Sequence, residues 1–160
     1  MKQLNINTVI DVFDNQEELE TADQQLMQAA IKARSNAYAP YSNFLVGCAL
    51  LLENGTIIHG NNQENAAYPS GLCAERVAIF AAGANYPGVS VVKMAITAGP
   101  VEGDFEEPVP PCGACRQSIA EYESRQSSPI ELLFMGTSGK VARSKSLGDL
   151  LPLIFDRNYL

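Results

Sequence analysis

The fold and the chemistry of this chain are decided by the stretch Pro110-Pro111-Cys112-Gly113-Ala114-Cys115-Arg116-Gln117. Pro111 favours a first helical turn, and apolar residues with helical spacing follow at Ile119, Ala120 and Tyr122. The stretch therefore predicts a helix that begins near its two cysteines. Both sulfurs then lie at the positive end of the helix dipole, where a thiol pKa falls from about 8.5 towards ~3.5–7.5. Two thiolates in this position are suited to bind zinc.

A third cysteine lies upstream in Gly71-Leu72-Cys73-Ala74-Glu75-Arg76, at the start of a second helical run rich in alanine. Cys73 and Cys112 are 39 residues apart. We expect one helix, one strand and one loop between them, and a crossover of that size returns the second helix start beside the first. Three thiolates leave one coordination position of a zinc ion open, which is typical of a catalytic site. Glu75 is the candidate proton carrier, so the spacing predicts a hydrolytic zinc site.

A Cys-x-x-Cys pair by itself is also typical of a structural zinc knuckle or of a redox pair. A closed structural site needs a fourth ligand, and neither remaining candidate is well placed. Cys48 lies in an apolar strand pattern and is expected in the core, and His59 is expected on the surface of a strand. Arg76 and Arg116 are expected beside the thiolates, where they offset negative charge; for Arg76 a surface salt bridge is the alternative.

The composition narrows the class of substrate. The chain has 160 residues, 46% of them hydrophobic and 18% charged, which is typical of one globular domain. Its net charge is −7, and acidic residues cluster at 11–23 and at 102–107. Nucleic-acid binding requires patches of Lys and Arg, so this balance argues against a polynucleotide partner and favours a small neutral or cationic substrate.

The four cysteines are interpreted as metal ligands and a core residue rather than as disulfides, because three of them have metal-ligand spacing. The first residues show no secretory signal, and no apolar run approaches the ~20 residues of a membrane span. We therefore expect a cytoplasmic protein without a membrane partner.

The hydrophobic pattern predicts an α/β fold, with helices on both faces of a mixed sheet of about five strands. An α/β/α sandwich of three layers follows from this alternation. The predicted helices span 16–37, 73–83 and 112–124, with a short one after Ser146, and the predicted strands span 44–52, 56–60, 91–97, 130–135 and 141–144. Residues 3–13 are expected to be extended, as an added edge strand, and 99–111 to be a surface loop rich in proline and acidic residues.

The zinc motifs resemble the signature of the nucleoside cytidine deaminases, for which a three-cysteine variant is known. Further matches are Tyr41-Ser42-Asn43-Phe44, Asn62-Gln63-Glu64-Asn65-Ala66, Tyr68-Pro69 and Leu150-Leu151-Pro152, so the resemblance covers residues 30 to 155. A cysteine as the first ligand resembles the small homotetrameric branch. Two departures are an extension, residues 1–15, ahead of a catalytic domain at 16–160, and a long acidic loop at 100–110.

The resemblance implies hydrolytic deamination of cytidine and deoxycytidine to uridine and deoxyuridine in pyrimidine salvage. It implies Zn²⁺ as the cofactor, held by Cys73, Cys112 and Cys115, with Glu75 as the proton shuttle. The positions that match the family's substrate contacts are Phe44, Asn62, Glu64, Ala66, Tyr68, Ala74 and Phe155.

Each of these positions has an implied role. Phe44 matches the aromatic residue that stacks on the pyrimidine, and Asn62 and Glu64 match the pair that holds the ribose hydroxyls. Because Asn62 and Glu64 are two residues apart, an extended segment places both on one side. Ala66, Tyr68 and Phe155 match positions that reach a neighbouring subunit's site, which implies a homo-oligomer, most simply a tetramer with shared active sites.

Three alternatives remain. A related small-molecule aminohydrolase, such as one resembling blasticidin-S deaminase, has the same fold, although the set Phe44, Asn62 and Glu64 favours a nucleoside. A non-catalytic zinc-binding module requires the missing fourth ligand. A deaminase that edits polynucleotides is disfavoured by the acidic charge.

Overall fold

A six-stranded mixed sheet lies between two layers of helices in the computed structural model, which describes residues 1–160. The strands are β1 Asp11–Phe13, β2 Phe44–Leu52, β3 Ile57–Asn61, β4 Val91–Pro100, β5 Glu131–Met135 and β6 Val141–Ser144. The helices are α1 Thr21–Arg34, α2 Ala74–Asn85 and α3 Gly113–Arg125, with short 3₁₀ turns at Gln16–Glu18, Tyr68–Ser70, Leu147–Asp149 and Arg157–Tyr159. The strand order is β1-β6-β5-β4-β2-β3, and only β4 and β5 pair in parallel.

The predicted α/β architecture is confirmed, and the predicted strand count of about five is one short. The sixth strand is β1 at the sheet edge, where it pairs antiparallel with β6 over three residues. The extended segment expected from residue 3 becomes a strand only at Asp11, which pairs with Arg143 of β6. Because β6 ends one residue later, at Ser144, it offers no partner for residues ahead of Ile10. Leu4, whose alternation with Ile6 motivated the expectation, is 75% exposed. The proposed division of the chain at residue 15 stays a prediction.

Two separate apolar clusters fill the spaces between the three layers. A cluster of 17 buried residues lies between the sheet and the pair α2 and α3, and it includes Cys48, as expected for a small core residue. A cluster of nine buried residues lies between the opposite face and α1. His59 is exposed on β3 and takes no part in either cluster. None of the helices combines the length and the apolar character that a membrane crossing requires.

Two glycines set the distance between the layers. A Cβ atom on Gly60 in β3 would lie 2.2 Å from the carbonyl oxygen of Ala74 in α2. A Cβ atom on Gly47 in β2 would lie 2.1 Å from the carbonyl oxygen of Ala30 in α1. Both separations are far below van der Waals contact, so each helix backbone rests directly on a strand only because these two positions lack a side chain.

The topology brings the starts of α2 and α3 together. Strands β3 and β4 both run antiparallel to β2, so their carboxyl ends meet at one edge of the sheet. Helix α2 follows β3 and helix α3 follows β4, so both helices begin at that edge and run back over the sheet. The amino end of β2 lies at the same edge. The three cysteines of the zinc motifs and Phe44 are therefore placed at one end of the molecule.

We expect Gly60→Ala to destabilise the protein by about 3 kcal/mol, because the new methyl group forces α2 away from β3 and disturbs the packing of the larger apolar cluster. Urea denaturation followed by circular dichroism measures this change in the free energy of unfolding. The control is Gly113→Ala in the first turn of α3, where a Cβ meets no atom within 4 Å. Equal stability of the two variants would contradict the role given to Gly60.

Candidate active site

Three sulfur atoms meet where α2 and α3 begin. The Sγ atoms of Cys73, Cys112 and Cys115 all lie within 4.8 Å of one another, and those of Cys73 and Cys112 are 3.9 Å apart. A tetrahedral zinc ion with Zn–S bonds of ~2.3 Å separates its sulfur ligands by about 3.8 Å. The three positions therefore fit one zinc ion, and the cluster contains no fourth histidine, cysteine or carboxylate ligand.

The local structure leaves these sulfurs free to bind a metal. Cys73 is the N-cap residue of α2 and Cys112 that of α3, and their carbonyl groups accept the first helical hydrogen bonds, from Val77 N (3.1 Å) and Arg116 N (2.9 Å). Neither side chain caps its own helix. Both sulfurs thus lie at the positive end of a helix and remain available as metal ligands.

The protonation of the cluster also suits a metal. A hydrogen bond from Cys115 lowers the pKa of the Cys73 thiol to about 5, and the Arg76 guanidinium adds to the effect. The same contact with Cys73, together with burial, raises the pKa of Cys115. Cys73 is therefore a thiolate at neutral pH, and Cys115 carries the proton that a bound metal displaces.

The two arginines of the zinc motifs have different contacts. Arg76 Nη2 lies 3.8 Å from Cys73 Sγ and 3.5 Å from the carbonyl oxygen of Gly71, and its Nε is buried without a hydrogen-bond acceptor. Arg116 instead donates to the carbonyl oxygens of Pro111 and Leu150, both at 2.8 Å. Arg76 thus supplies positive charge to the sulfurs, whereas Arg116 holds the segment ahead of α3 against the C-terminal part of the chain.

A cavity of about 760 Å³ opens beside the cluster. This volume lies within the range of ~300–1,000 Å³ that small-molecule sites occupy. Its walls include two of the cysteines and Glu75, and they also contain several polar and aromatic side chains from β2 and the β3–α2 loop. The cavity is lined by Tyr41, Ser42, Phe44, Val46, Asn62, Gln63, Glu64, Asn65, Tyr68, Gly71, Leu72, Cys73, Glu75, Arg76, Ile96, Ala98, Val109, Pro110 and Cys112.

Glu75 is the buried acid of this cavity. It is the second residue of α2, follows Cys73 by two positions, and is 4% exposed. Burial raises the pKa of its carboxyl group, which brings proton uptake closer to neutral pH. A carboxyl group with this pKa shift in a cavity is suited to accept and return a proton.

Asn62 and Glu64 are both in the cavity wall, and hydrogen bonds hold each in place. Asn62 Nδ2 donates to the carbonyl oxygen of Phe44 (2.9 Å), and its Oδ1 accepts from Val46 N (2.8 Å), so the amide continues the ladder of β2. Glu64 Oε2 accepts from the N–H groups of Tyr41 (2.9 Å) and Ser42 (3.3 Å). Hydrogen bonds from Ser42 and Tyr41 lower the pKa of Glu64, which is therefore a carboxylate at neutral pH.

The aromatic candidates differ in position. Phe44 is partly buried and lines the cavity, as the first residue of β2. Tyr68 also lines the cavity, but it is 77% exposed. Its ring packs edge to face on that of Tyr41, with the ring centroids 6.1 Å apart. Phe155 does not line the cavity of its own chain. It is 60% exposed, and its ring stacks on that of Tyr159 with the ring centroids 5.7 Å apart.

The two alanine candidates do not line the cavity either. Ala66 is exposed in the β3–α2 loop. Ala74 is fully buried at the start of α2, where its carbonyl oxygen is the atom closest to the missing Cβ of Gly60. Of the seven predicted substrate contacts, the structure therefore brings Phe44, Asn62, Glu64 and Tyr68 together around one cavity.

The prediction from sequence did not include the apolar part of the cavity wall. Ile96 and Ala98 lie on β4, the strand that pairs with β2, and Val109 and Pro110 immediately precede the second zinc motif. The sequence could have indicated Val109 and Pro110, because residues just ahead of Cys112 must lie close to whatever its sulfur binds. The pairing of β4 with β2 was not visible in the pattern of either strand alone.

Comparison with known proteins agrees with this site. Residues 20–128 match the family model described as the cytidine and deoxycytidylate deaminase zinc-binding region. A cytidine deaminase from Halalkalibacterium halodurans is 49% identical over 82% of this chain and 92% of its own length. A cytidine deaminase from Sporosarcina psychrophila is 44% identical over 86% of this chain and 93% of its own length. The crystal structure of cytidine deaminase from Burkholderia pseudomallei superposes with a TM-score of 0.71 at 41% identity, over 82% of this chain and 97% of that one.

We expect purified protein to contain about one zinc ion per chain, and Cys112→Ala or Cys115→Ala to lose it, because two remaining thiolates do not hold the metal. Both variants should also unfold at lower temperature, since the metal links segments 39 residues apart. Plasma emission spectrometry and thermal unfolding measure the two effects. The control is Cys48→Ala, a buried cysteine outside the cluster, which should keep its zinc. Full occupancy in the two ligand variants would disprove the assignment.

Proposed function

Because this chain belongs to the cytidine and deoxycytidylate deaminase family, we infer that it hydrolyses cytidine and deoxycytidine to uridine and deoxyuridine with release of ammonia. The observation that carries this function is the group of three cysteines and buried Glu75 beside a cavity large enough to hold a nucleoside. A hydrolytic deamination needs an activated water molecule, a group that moves protons, and a pocket that orients the base.

Zinc is the cofactor that fits the three sulfurs, and Cys73, Cys112 and Cys115 are the proposed ligands. A bound zinc ion lowers the pKa of a coordinated water molecule from 15.7 towards ~7. Three anionic ligands weaken this effect, and Arg76 counteracts them by placing its guanidinium beside Cys73 Sγ. The open coordination position would face the cavity that Cys73 and Cys112 line.

Glu75 is the proposed proton shuttle. Its carboxylate would accept a proton from the attacking water and deliver it to N3 of the cytosine ring. It would then take the proton of the new C4 hydroxyl group and pass it to the departing amino group, which leaves as ammonia. The structure supports this role through position and environment, since Glu75 lines the cavity next to Cys73 and burial raises its pKa. The raised pKa matters because a group that both takes up and returns protons works best near the ambient pH.

Phe44, Asn62 and Glu64 are proposed to hold the nucleoside. The Phe44 ring can stack on the pyrimidine, and the Glu64 carboxylate can accept hydrogen bonds from ribose hydroxyl groups at Oε1, which its backbone contacts leave free. Asn62 keeps one N–H donor and one acceptor lone pair beyond its two bonds to β2. These side chains are held before substrate arrives, which reduces the ordering cost of binding.

Incubation of the purified protein with cytidine tests the function directly, by the ultraviolet change of the base and by ammonia release. Blasticidin S and a cytosine-containing oligonucleotide serve as the alternative substrates. We expect cytidine and deoxycytidine to react and the oligonucleotide to be left intact, because the acidic surface repels phosphates. Turnover of blasticidin S without turnover of cytidine would replace the proposed substrate.

We expect Glu75→Gln to lose at least about 100-fold in kcat, because an amide cannot carry the proton that general acid–base catalysis requires. The variant should keep its zinc and its unfolding temperature, since the substitution conserves shape and no metal ligand changes. Steady-state kinetics with cytidine, together with metal analysis, measure both properties. The control is Glu102→Gln, the same change on the exposed loop. Near wild-type turnover in Glu75→Gln would exclude Glu75 as the shuttle.

We further propose that the active protein is a homo-oligomer, most simply a tetramer, in the cytoplasm. Tyr68 and Phe155 are large aromatic residues that remain 77% and 60% exposed on the single chain. Large exposed aromatic side chains are typical of an interface between subunits. The location is supported by the three free thiols of the cluster, which stay reduced in a cytosolic environment.

Light scattering on the purified protein should give a mass several times the 17.2 kDa of one chain. If active sites are shared, Phe155→Ala and Glu75→Gln should each be weakly active alone. Mixed oligomers of the two should be more active than the sum of the separate variants, because each contributes the group that the other lacks. A fully active monomer would rule out shared sites.

A further inference from the structure

Arg34 has an unusual environment close to the cavity. It is the last residue of α1, and no carboxylate lies within ion-pair distance of its guanidinium. Its Nε donates to the carbonyl oxygen of Leu45 (3.0 Å), and its Nη2 donates to those of Gly99 (2.9 Å) and Pro100 (2.7 Å). Burial lowers the pKa of Arg34, so three backbone carbonyls take the place of water around this charge.

These three carbonyls belong to the strand ends that form the cavity. Leu45 lies on β2 opposite Gly99 on β4, and Phe44 lies opposite Pro100. Side chains alternate along a strand, so Leu45 points to the α1 face while Phe44 and Val46 point to the cavity that they line. Arg34 therefore holds the backbone of the cavity wall from the opposite face of the sheet.

The backbone of α1 is placed closely enough for this contact by Gly47. A Cβ on Gly47 would lie 2.4 Å from the backbone nitrogen of Arg34 and 2.7 Å from its Cβ. From this position the planar guanidinium reaches both strands at once, which a lysine ammonium cannot do with the same geometry. The contact also fixes Pro100, the last residue of β4 before the acidic loop that returns to the cavity at Val109.

We propose that Arg34 is a positioning residue for nucleoside binding, which acts by fixing the carbonyl groups next to Phe44 on β2 and β4 so that the Phe44 ring stacks on the pyrimidine. The inference rests on the proposed deamination of cytidine. Arg34 does not line the cavity, and no zinc ligand is among its hydrogen-bond partners. Its loss should therefore weaken substrate binding without changing the chemical step or the metal content.

The test is steady-state kinetics of Arg34→Met and Arg34→Lys with cytidine. Methionine keeps an apolar stem but leaves the three carbonyl oxygens without their hydrogen-bond donor. We expect KM to rise about tenfold, which is close to the loss of affinity when one aromatic stacking contact is removed. The kcat should stay within about twofold, and zinc content should be unchanged. Lysine should give an intermediate KM, because one ammonium group replaces only part of the donor set.

Two further variants separate positioning from general stability. Asp23→Asn removes the contact of Asp23 with Lys93 at the opposite end of α1, so it should lower the unfolding temperature and leave KM unchanged. In a Phe44→Leu background, Arg34→Met should raise KM by less than about twofold, because the ring through which Arg34 acts is already missing.

The outcomes distinguish this inference from the function on which it rests. A wild-type protein that does not deaminate cytidine would overturn both. An active wild type with unchanged KM in Arg34→Met would overturn the positioning role alone, as would a tenfold rise that persists in the Phe44→Leu background. If Arg34→Met does not fold, the KM of Arg34→Lys tests the positioning role instead. A stable Arg34→Lys variant with the KM of the wild type would contradict the requirement for a guanidinium.

Discussion

The convergence of three sulfur atoms at the starts of two helices is the constraint on which the rest of this structure depends. Cys73 and Cys112 are 3.9 Å apart although 39 residues separate them in sequence. That distance requires β3 and β4 to end at the same sheet edge and requires α2 to lie directly on β3 at Gly60. A shift of either helix by one residue, about 1.5 Å, would remove a sulfur from bonding distance of a shared metal.

The chemistry and the recognition of substrate are carried by different parts of the fold. The cysteines, Glu75 and Arg76 belong to helix starts, where dipoles and unpaired N–H groups favour negative charge. The residues proposed to hold the nucleoside belong to β2 and to the loop after β3, and backbone hydrogen bonds fix them. Specificity can therefore change through loop and strand positions while the metal site stays constant, which suits a family of related deaminases.

The sequence was sufficient where short-range spacing decides the geometry, and it was less informative where a distant backbone group decides. The spacing of Cys73, Glu75 and Arg76 within one helical turn already placed these groups together. Arg116 has equally suggestive spacing, four residues after Cys112, yet the carbonyl oxygen of Leu150, 34 residues away, accepts its hydrogen bond. The sixth strand was anticipated as an edge segment, but its partner β6 ends at Ser144 and leaves the residues ahead of Ile10 without a strand to pair with. Arg34 gave no signal, because its acceptors are backbone carbonyls that no side-chain pattern reveals.

The candidate site residues fall into two classes that bear on how the site becomes complete. Asn62, Glu64 and Glu75 are held by backbone contacts or by burial, so the entropy of ordering them is lost during folding rather than during binding. Tyr68 and Phe155 are mostly exposed, and each packs on another aromatic ring, that of Tyr41 and that of Tyr159 respectively. A neighbouring chain could order such side chains when the oligomer assembles, so that the entropy of ordering them would not be lost again at each catalytic cycle. The division between ordered and exposed groups is what the proposed oligomer would require, in which one subunit builds the floor of the pocket and another completes its rim.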